Sequence, residues 1–302
     1  MTLRVADFAD LLDIRFTRIF DDEYGQFPDR VGEFYGIMDS SQRTERVSSV
    51  GTLGDMEQFT GALDYDDVYQ GYDTAVTCLV FARGMQVDQE LLEDEKFNTL
   101  DGKPKALAQI AHRRRQVDCF RIFNQSFSVD TFFYVNSEGV ALCSNSHTTT
   151  SGASTTTGFD NQVTTAFSAT SLAAAVKQML GFRGDRAEKI PVMPDTIIYP
   201  VDLYDTVEEV IKSSGKPDVA TNNINVHKDA YDLKRCIYLD DANDWWLADS
   251  RAMKESLIWI DRVKPQFGMV EEFDEFVAKW RVRERHGNAW RNWRAFLGAS
   301  VS

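Results

Sequence analysis

No lysine precedes Lys96, and the 302 residues hold only four cysteines, four histidines and seven prolines. Before Lys96, therefore, no side chain can act as a primary-amine nucleophile. Cys78, Cys119, Cys143 and Cys236 are widely spaced and form no CxxC pair, which reads as reduced, buried thiols rather than a disulfide framework. His112, His147, His227 and His286 never fall at a metal-ligand spacing. GxSxG, HExxH, Walker A and GxGxxG are all missing, so the common catalytic signatures are excluded, although a site assembled from distant residues is not. No apolar run approaches the ~18 residues of a membrane-spanning helix. The opening MTLRVADFADLLDIRF contains Asp7, Asp10 and Asp13 and does not read as a signal peptide. Positive charge is scarce as well: 33 Lys and Arg against 47 Asp and Glu leave a net charge of −14, which disfavours a dedicated nucleic-acid binder.

What is present suits a large core, with 43% hydrophobic and 12% aromatic residues. The stretch from Pro104 to Phe127 has no internal Gly or Pro, and Pro104 suits a first helical residue. Leu107, Ile110, Val117, Phe120, Phe123 and Phe127 recur at helical spacing, while Arg113, Arg114 and Arg115 are expected to face outward. Such a spine would run roughly 35 Å at about 1.5 Å per residue. Val5, Phe8, Leu12, Phe16 and Ile19 predict an amphipathic N-terminal helix that packs on its own domain or on a neighbouring subunit.

From Ser40 to Tyr72 the chain is polar, punctuated by Gly51, Gly54, Gly61 and Gly71, and too poor in apolar residues for its own core. A two-stranded excursion fits it, followed by a continuous apolar strand, AVTCLVFA, over Ala75 to Ala82. Asp88 to Lys96 is acidic and reads as helical; Val129 to Cys143 reads as a hairpin turning at Ser137-Glu138-Gly139. Ser144 to Gly158, with four Ser and six Thr, reads as a flexible surface loop. Between 165 and 250 the order is helix (Ser171 to Leu180, capped by Thr170 or Ser171), strand (Thr196 to Tyr199), helix (Val201 to Ser213), then strands near Asn225 and Arg235 to Leu239. Leu257 to Ile260 and Phe276 to Glu284 close the chain with strands. The class is α+β.

Two clusters invite a chemical reading. Asp240, Asp241, Asn243 and Asp244 form a DDxND run that could hold a hard cation, but it lacks the Gly and distal Glu of a calcium loop and suits a turn. WRVRERHGNAWRNWR, from Trp280 to Arg294, puts Arg281, Arg283 and Arg285 on one strand face and Trp280 and Val282 on the other. That face could meet an acidic surface, stack on nucleic acid, or be solvated. No residue is assigned a catalytic, cofactor-binding or metal-binding role.

Taken in order, these pieces resemble a tailed-phage major capsid protein of the Hong Kong 97 fold, in the branch of Mu-type head subunits. The carrying stretches are the arm, the Gly-rich Arg43 to Tyr72, AVTCLVFA, DQELLEDE, the spine, SEGVALCSNSHTTT, SATSLAAAVKQM, MPDTIIYPVDLYDTVEEVIKSS, NNINV, CIYLDDANDWWLAD and FVAKWRVRERHGNAW. The resemblance implies an arm at 1–40 and an extended loop with its return strand at 41–82. It also implies a peripheral domain at 83–164 with the spine, an axial domain at 165–245 and closing peripheral strands at 246–302. It implies hexamers and pentamers of one icosahedral shell around phage DNA, a separate scaffolding protein, a portal, a possible cement protein, only non-specific contact with double-stranded DNA, and no membrane. Subunit contacts would involve Arg43, Glu45, Arg46, Arg281, Arg283 and Arg285, in a virion assembled in the host cytoplasm. The alternatives are an encapsulin-type cargo compartment of the same fold and, from another class, a cytosolic metal-dependent α/β enzyme using Asp240, Asp241 and Asp244.

Overall fold

A computed structural model describes residues 5–53, 56, 58–61, 65, 70–88, 101–215, 223–272 and 277–301. In chain order, α1 (Val5–Gln26) and the one-turn α2 (Val31–Phe34) lead into β1 (Gly36–Asp39). β2 (Thr44–Val50) and β3 (Gln70–Thr77) pair antiparallel as the base of a long hairpin, and β4 (Leu79–Asp88) follows directly. The spine is α3 (Gly102–Asn124); after it come β5 (Tyr134–Asn136), β6 (Gln162–Val163), α4 (Ala169–Met179) and β7 (Thr196–Pro200). A 3₁₀ turn enters α5 (Tyr204–Lys212), then β8 (Asp232–Cys236), β9 (Trp245–Ala248) and α6 (Ser250–Ser256). The chain closes with β10 (Leu257–Glu272), β11 (Val277–Trp290) and β12 (Phe296–Ala299).

These strands form three sheets, ordered β1-β10-β11-β4, β6-β12-β9-β7-β8 and β2-β3-β5. α1 and α3 lie against one face of the first sheet, because β11 alternates: Ala278, Trp280 and Val282 are buried beneath Phe16, Phe20, Leu107, Ala108 and Ala111. Phe16 meets Trp280 edge-on at 5.4 Å and Phe20 stacks on Phe267 at 5.1 Å, so this stretch of the arm packs within its own chain. The other end of α3 serves a larger core. There Phe120, Ile122 and Phe123 pack with Phe34, Trp246 and Phe296, ring to ring at 5.4 to 5.9 Å where Phe34 and Phe123 are concerned. One helix thus spans two apolar clusters. Truncating a fully buried Phe such as Phe123 to Ala would cost about 3–5 kcal/mol.

Several local expectations differ from the structure. AVTCLVFA is two strands, not one: at Cys78, whose N–H donates to the Arg43 carbonyl (3.0 Å), the chain leaves β3's sheet and enters β4's. Gly287 permits this crossing, since a Cβ there would sit 2.9 Å from the Thr77 carbonyl oxygen. Only the first arm of the Val129 to Cys143 hairpin is a strand. β5 pairs with β3 instead, while Ala141, Leu142 and Cys143 are buried as an irregular segment. α4 is capped by Ser168, not by Thr170 or Ser171, through a capping box in which the Ser168 and Ser171 side chains each accept the other's backbone N–H. Pro104 sits in the first turn of a helix that starts two residues earlier. Around Asn225 an isolated bridge at Ile224 replaces the expected strand. The acidic helix expected over Asp88 to Lys96 lies, beyond Asp88, outside the described residues.

Candidate functional site

The middle of the spine carries the densest polar chemistry. Arg115 is buried, not outward-facing, because it continues the stripe of Ala108 and Ala111 on α3. Its Nη1 and Nη2 donate to the two carboxylate oxygens of Asp261 at 2.7 and 2.8 Å, and Nε donates to Asp29 at 2.9 Å. Burial works to raise Asp261, but the paired guanidinium and the Trp259 indole N–H outweigh it and hold the carboxyl below its ordinary range. Arg114 grips Asp118 through Nε and Nη2 at 2.7 and 2.6 Å, and His286 Nε2 donates to the same carboxylate at 2.9 Å. The His286 ring lies between Phe81 and Trp259, at 4.8 and 4.7 Å. Burial pulls His286 below its ordinary value against the opposing pull of Asp118. Glu284 lacks such a partner: its Oε2 is buried without a hydrogen bond, 3.9 Å from His286 Nδ1. Burial, reinforced by Asp118 and Asp261, pushes Glu284 up to about 7 despite Arg115 and Arg114. This polar belt separates the two apolar clusters and ties α3 to Asp29, β10 and β11. Its β11 members could have been read from parity, since Glu284 and His286 share the strand face of Trp280 and Val282.

On the opposite face of β11 stand Arg281, Arg283 and Arg285, exposed or half-buried. Among the described residues none of the three makes an ion pair. The hairpin base carries the other sequence-predicted contact residues: Arg43 and Arg46 are exposed, whereas Glu45 is half-buried and accepts a hydrogen bond from the Ser40 hydroxyl. Burial raises the Cys78 thiol against the pull of Arg262 and Arg285, and Glu45 reinforces the rise.

The hairpin is held along one side by the Ser/Thr stretch. Tyr72 and Thr148 hydroxyls meet at 2.6 Å, and Thr150 Oγ1 donates to the Gln70 carbonyl at 3.0 Å. Asp185 completes the hold: Thr52 N–H donates to its Oδ2 at 3.3 Å, its own N–H donates to Thr52 Oγ1 at 2.9 Å, and Arg294 Nη2 donates to Oδ1 at 3.0 Å. His147 anchors the stretch from inside, stacked on Trp293 at 4.4 Å and bonded to Glu138 at 3.0 Å. The hydroxyls expected to be a flexible surface are thus largely engaged.

The DDxND run is a turn. Asp241 Oδ1 accepts the N–H groups of Asn243 and Asp244 at 2.8 and 3.2 Å, and Asp240 and Asp244 accept from Asn124 and the Val301 N–H. Among the described residues no group of three or more His, Cys, Asp or Glu is arranged to hold a metal ion. No helix among them is long and apolar enough to cross a membrane.

A sequence profile described as phage capsid protein matches residues 72–299. The chain belongs to the phage capsid protein family. The capsid protein is a structural protein that builds an icosahedral shell, with the Hong Kong 97-like α+β fold. Solved structures agree on the fold. The mature capsid of bacteriophage PhiM1 aligns with a TM-score of 0.60 at 7% identity, over 91% of this chain and 88% of the other. The virus-like particle from Pyrococcus furiosus gives 0.57 at 9%, over 95% and 99%. The procapsid of bacteriophage JBD30 gives 0.52 at 14%, over 98% and 76%. Comparison with curated proteins gave no match.

Proposed function

We propose that this capsid protein forms the hexamers and pentamers of a phage head around double-stranded DNA, without catalytic activity of its own. The arm is assigned to 1–40, the extended loop and return strand to 41–82, the spine-bearing peripheral domain to 83–164, the axial domain to 165–245 and the closing peripheral strands to 246–302. These bounds rest on the order of the sequence motifs; the sheet β6-β12-β9-β7-β8 and the larger apolar cluster both draw on axial and peripheral stretches. The observation that carries the reading is the hairpin beyond β2: Val50, Leu53, Met56, Phe59 and Tyr65 are 73%, 59%, 101%, 67% and 84% exposed. A single chain leaves these side chains in water, and neighbouring subunits would cover them. Arg43, Glu45, Arg46, Arg281, Arg283 and Arg285 are proposed to lie at contacts between copies.

A net charge of −14 suits a wall that must not hold packaged DNA tightly. A separate scaffolding protein, a portal and a cement protein are the proposed assembly partners, with assembly in the host cytoplasm. Placement in the Mu-type branch rests on the order of the sequence motifs. Electron microscopy of the concentrated, purified protein tests the reading: closed shells, tubes or sheets are expected, and dispersed monomers under all crowding and salt conditions would refute it. Particles filled with protein cargo would instead favour a compartment shell.

A further inference from the structure

The face of the first sheet turned away from α1 and α3 has an unusual composition for so acidic a chain. Strand register defines four successive cross-strand rows on it: Gln86, Lys279 and Val270; Gly84, Arg281 and Gly268; Ala82, Arg283 and Gln266; and Val80, Arg285 and Val263. These four rows contain four cations and no carboxylate, in a chain of net charge −14, while the next row on the same face, Asp88, Val277 and Glu272, carries two carboxylates. The cations follow one another at about 6.8 Å, twice the rise per strand residue. The Nε of Arg285 is buried without a hydrogen-bond partner. Beside Arg281 the two glycines leave a groove of about 550 Å³, lined by Gly84, Gln86, Gly268, Val270, Lys279 and Arg281, with Met85 and the buried Trp280 also lining it. Val80 and Val270 flank the cations and are 53% and 57% exposed.

We propose that this face docks an acidic, extended stretch of a second copy of the chain, with its carboxylates over Arg281, Arg283 and Arg285 and one side chain seated in the groove between Gly84 and Gly268. The proposal rests on the shell reading. Identical subunits of net charge −14 repel one another, so a stable lattice needs local attraction. A basic strip of four rows, bounded at one end by the acidic row of Asp88 and Glu272, supplies it on meeting the acidic surface of the next copy. A protein occupant fits better than nucleic acid, because the four rows contain exposed valines and no aromatic ring on which a base could stack. Isolated exposed ion pairs contribute only about 0–1 kcal/mol, so the row must act as a set, with the groove fixing register.

Gly268 offers a clean probe, since a Cβ there meets nothing within 4 Å in the single chain. Gly268→Leu and the triple variant Arg281→Glu, Arg283→Glu, Arg285→Glu would be compared with wild type by thermal unfolding and by particle yield in sedimentation over a salt series. Both variants should unfold within roughly 3 °C of wild type and lose about tenfold or more in particle yield; wild-type yield should respond to salt across the range where the screening length shrinks from ~10 Å to ~3 Å. If the triple variant fails to fold, Gly268→Leu decides alone. Wild-type-like particles from Gly268→Leu, or from a folded triple variant, would overturn the docking proposal and leave the shell reading intact. So would a triple variant that assembles normally but no longer retains DNA. Wild type that forms no particles would overturn the shell reading first, and this proposal with it.

Discussion

At the scale of single residues, Glu284 is the group with the largest consequence for behaviour in solution. His286 Nε2 donates to Asp118, which leaves Nδ1 as an acceptor 3.9 Å from Glu284 Oε2. Burial penalises an ionised Glu284, which has no hydrogen bond at Oε2 and faces that lone pair, with Asp118 and Asp261 adding repulsion. Its folded pKa is raised from 4.5 to about 7. Between these values the unfolded chain is ionised while the folded chain keeps its proton. The contribution of Glu284 is therefore fully present below pH 4.5 and is lost as pH rises through about 7. At about 1.4 kcal/mol per pKa unit, the loss approaches ~3 kcal/mol. Glu284→Gln, which is neutral at every pH, should raise the unfolding midpoint of the unassembled protein at pH 8 by several degrees and leave it almost unchanged near pH 4.5. Equal shifts at both pH values would mean that protonation of this site is not responsible. Asp261 and His286, both lowered, act in the opposite sense and lose their contribution as pH falls, so the wild-type curve is a sum that the variant separates.

The belt also marks the limit of what single positions in the sequence convey. Arg113, Arg114 and Arg115 read as one solvated turn because they are adjacent and charged. Successive helical residues point about 100° apart, however, and only Arg115 falls on the stripe of Ala108 and Ala111. Alanine is a weak apolar marker, and the buried carboxylate at Asp261 is 146 residues away, so nothing local announced the pairing. On β11 a period of two sufficed: the outward Arg281, Arg283 and Arg285 and the inward Trp280 and Val282 were legible because alternation is a local signal, readable without knowing what covers each face.

At the scale of elements, helices and long strands were readable where one face is continuous, as in α4 and β11; α3 was found as a helix, but Val117 of its expected apolar stripe is exposed and Arg115, Gln116 and Asp118 are buried in its middle. Segments whose partner lies elsewhere in the chain were not. The second arm of the expected hairpin, Val140 to Cys143, is apolar because it is buried, and β5 has already found β3; composition cannot separate these cases. Ser144 to Gly158 looked flexible because hydroxyls give no periodic signal, yet Thr148 and Thr150 meet the hairpin directly. Among the described residues, the hairpin contributes little to either apolar cluster beyond Val47 and the end of β3. Deleting Glu45 to Tyr72 should leave a soluble protein whose midpoint falls by less than roughly 10 °C, because Val76 remains to fill the core. The same protein should fail to close shells. A larger drop would mean that the hairpin is part of the core, and normal shells would mean that it makes no essential contact.

At the scale of the whole molecule, the question is what keeps a shell of these chains closed. A covalent lattice would need a nucleophile on a segment that reaches a neighbour. The arm, hairpin and return strand contain no lysine, and their long cations are arginines, whose guanidinium groups stay protonated and are poor nucleophiles. Cysteine offers no substitute, since Cys78, Cys119, Cys143 and Cys236 are all buried. Burial pushes the thiols up, Cys236 to about 12 against the opposing pull of Arg30, so they remain protonated and shielded near neutral pH. Mature particles should therefore be held by noncovalent contacts alone, with or without a cement protein. Boiled in denaturant and run on a gel, they should give one capsid band near 34.3 kDa, with or without reductant. A ladder that disappears with reductant would place a disulfide between copies and require a buried cysteine to become exposed on assembly. A ladder that survives both reductant and boiling would show an isopeptide-type bond formed by a residue outside the lysine-free stretch, and the lattice would then be covalent after all.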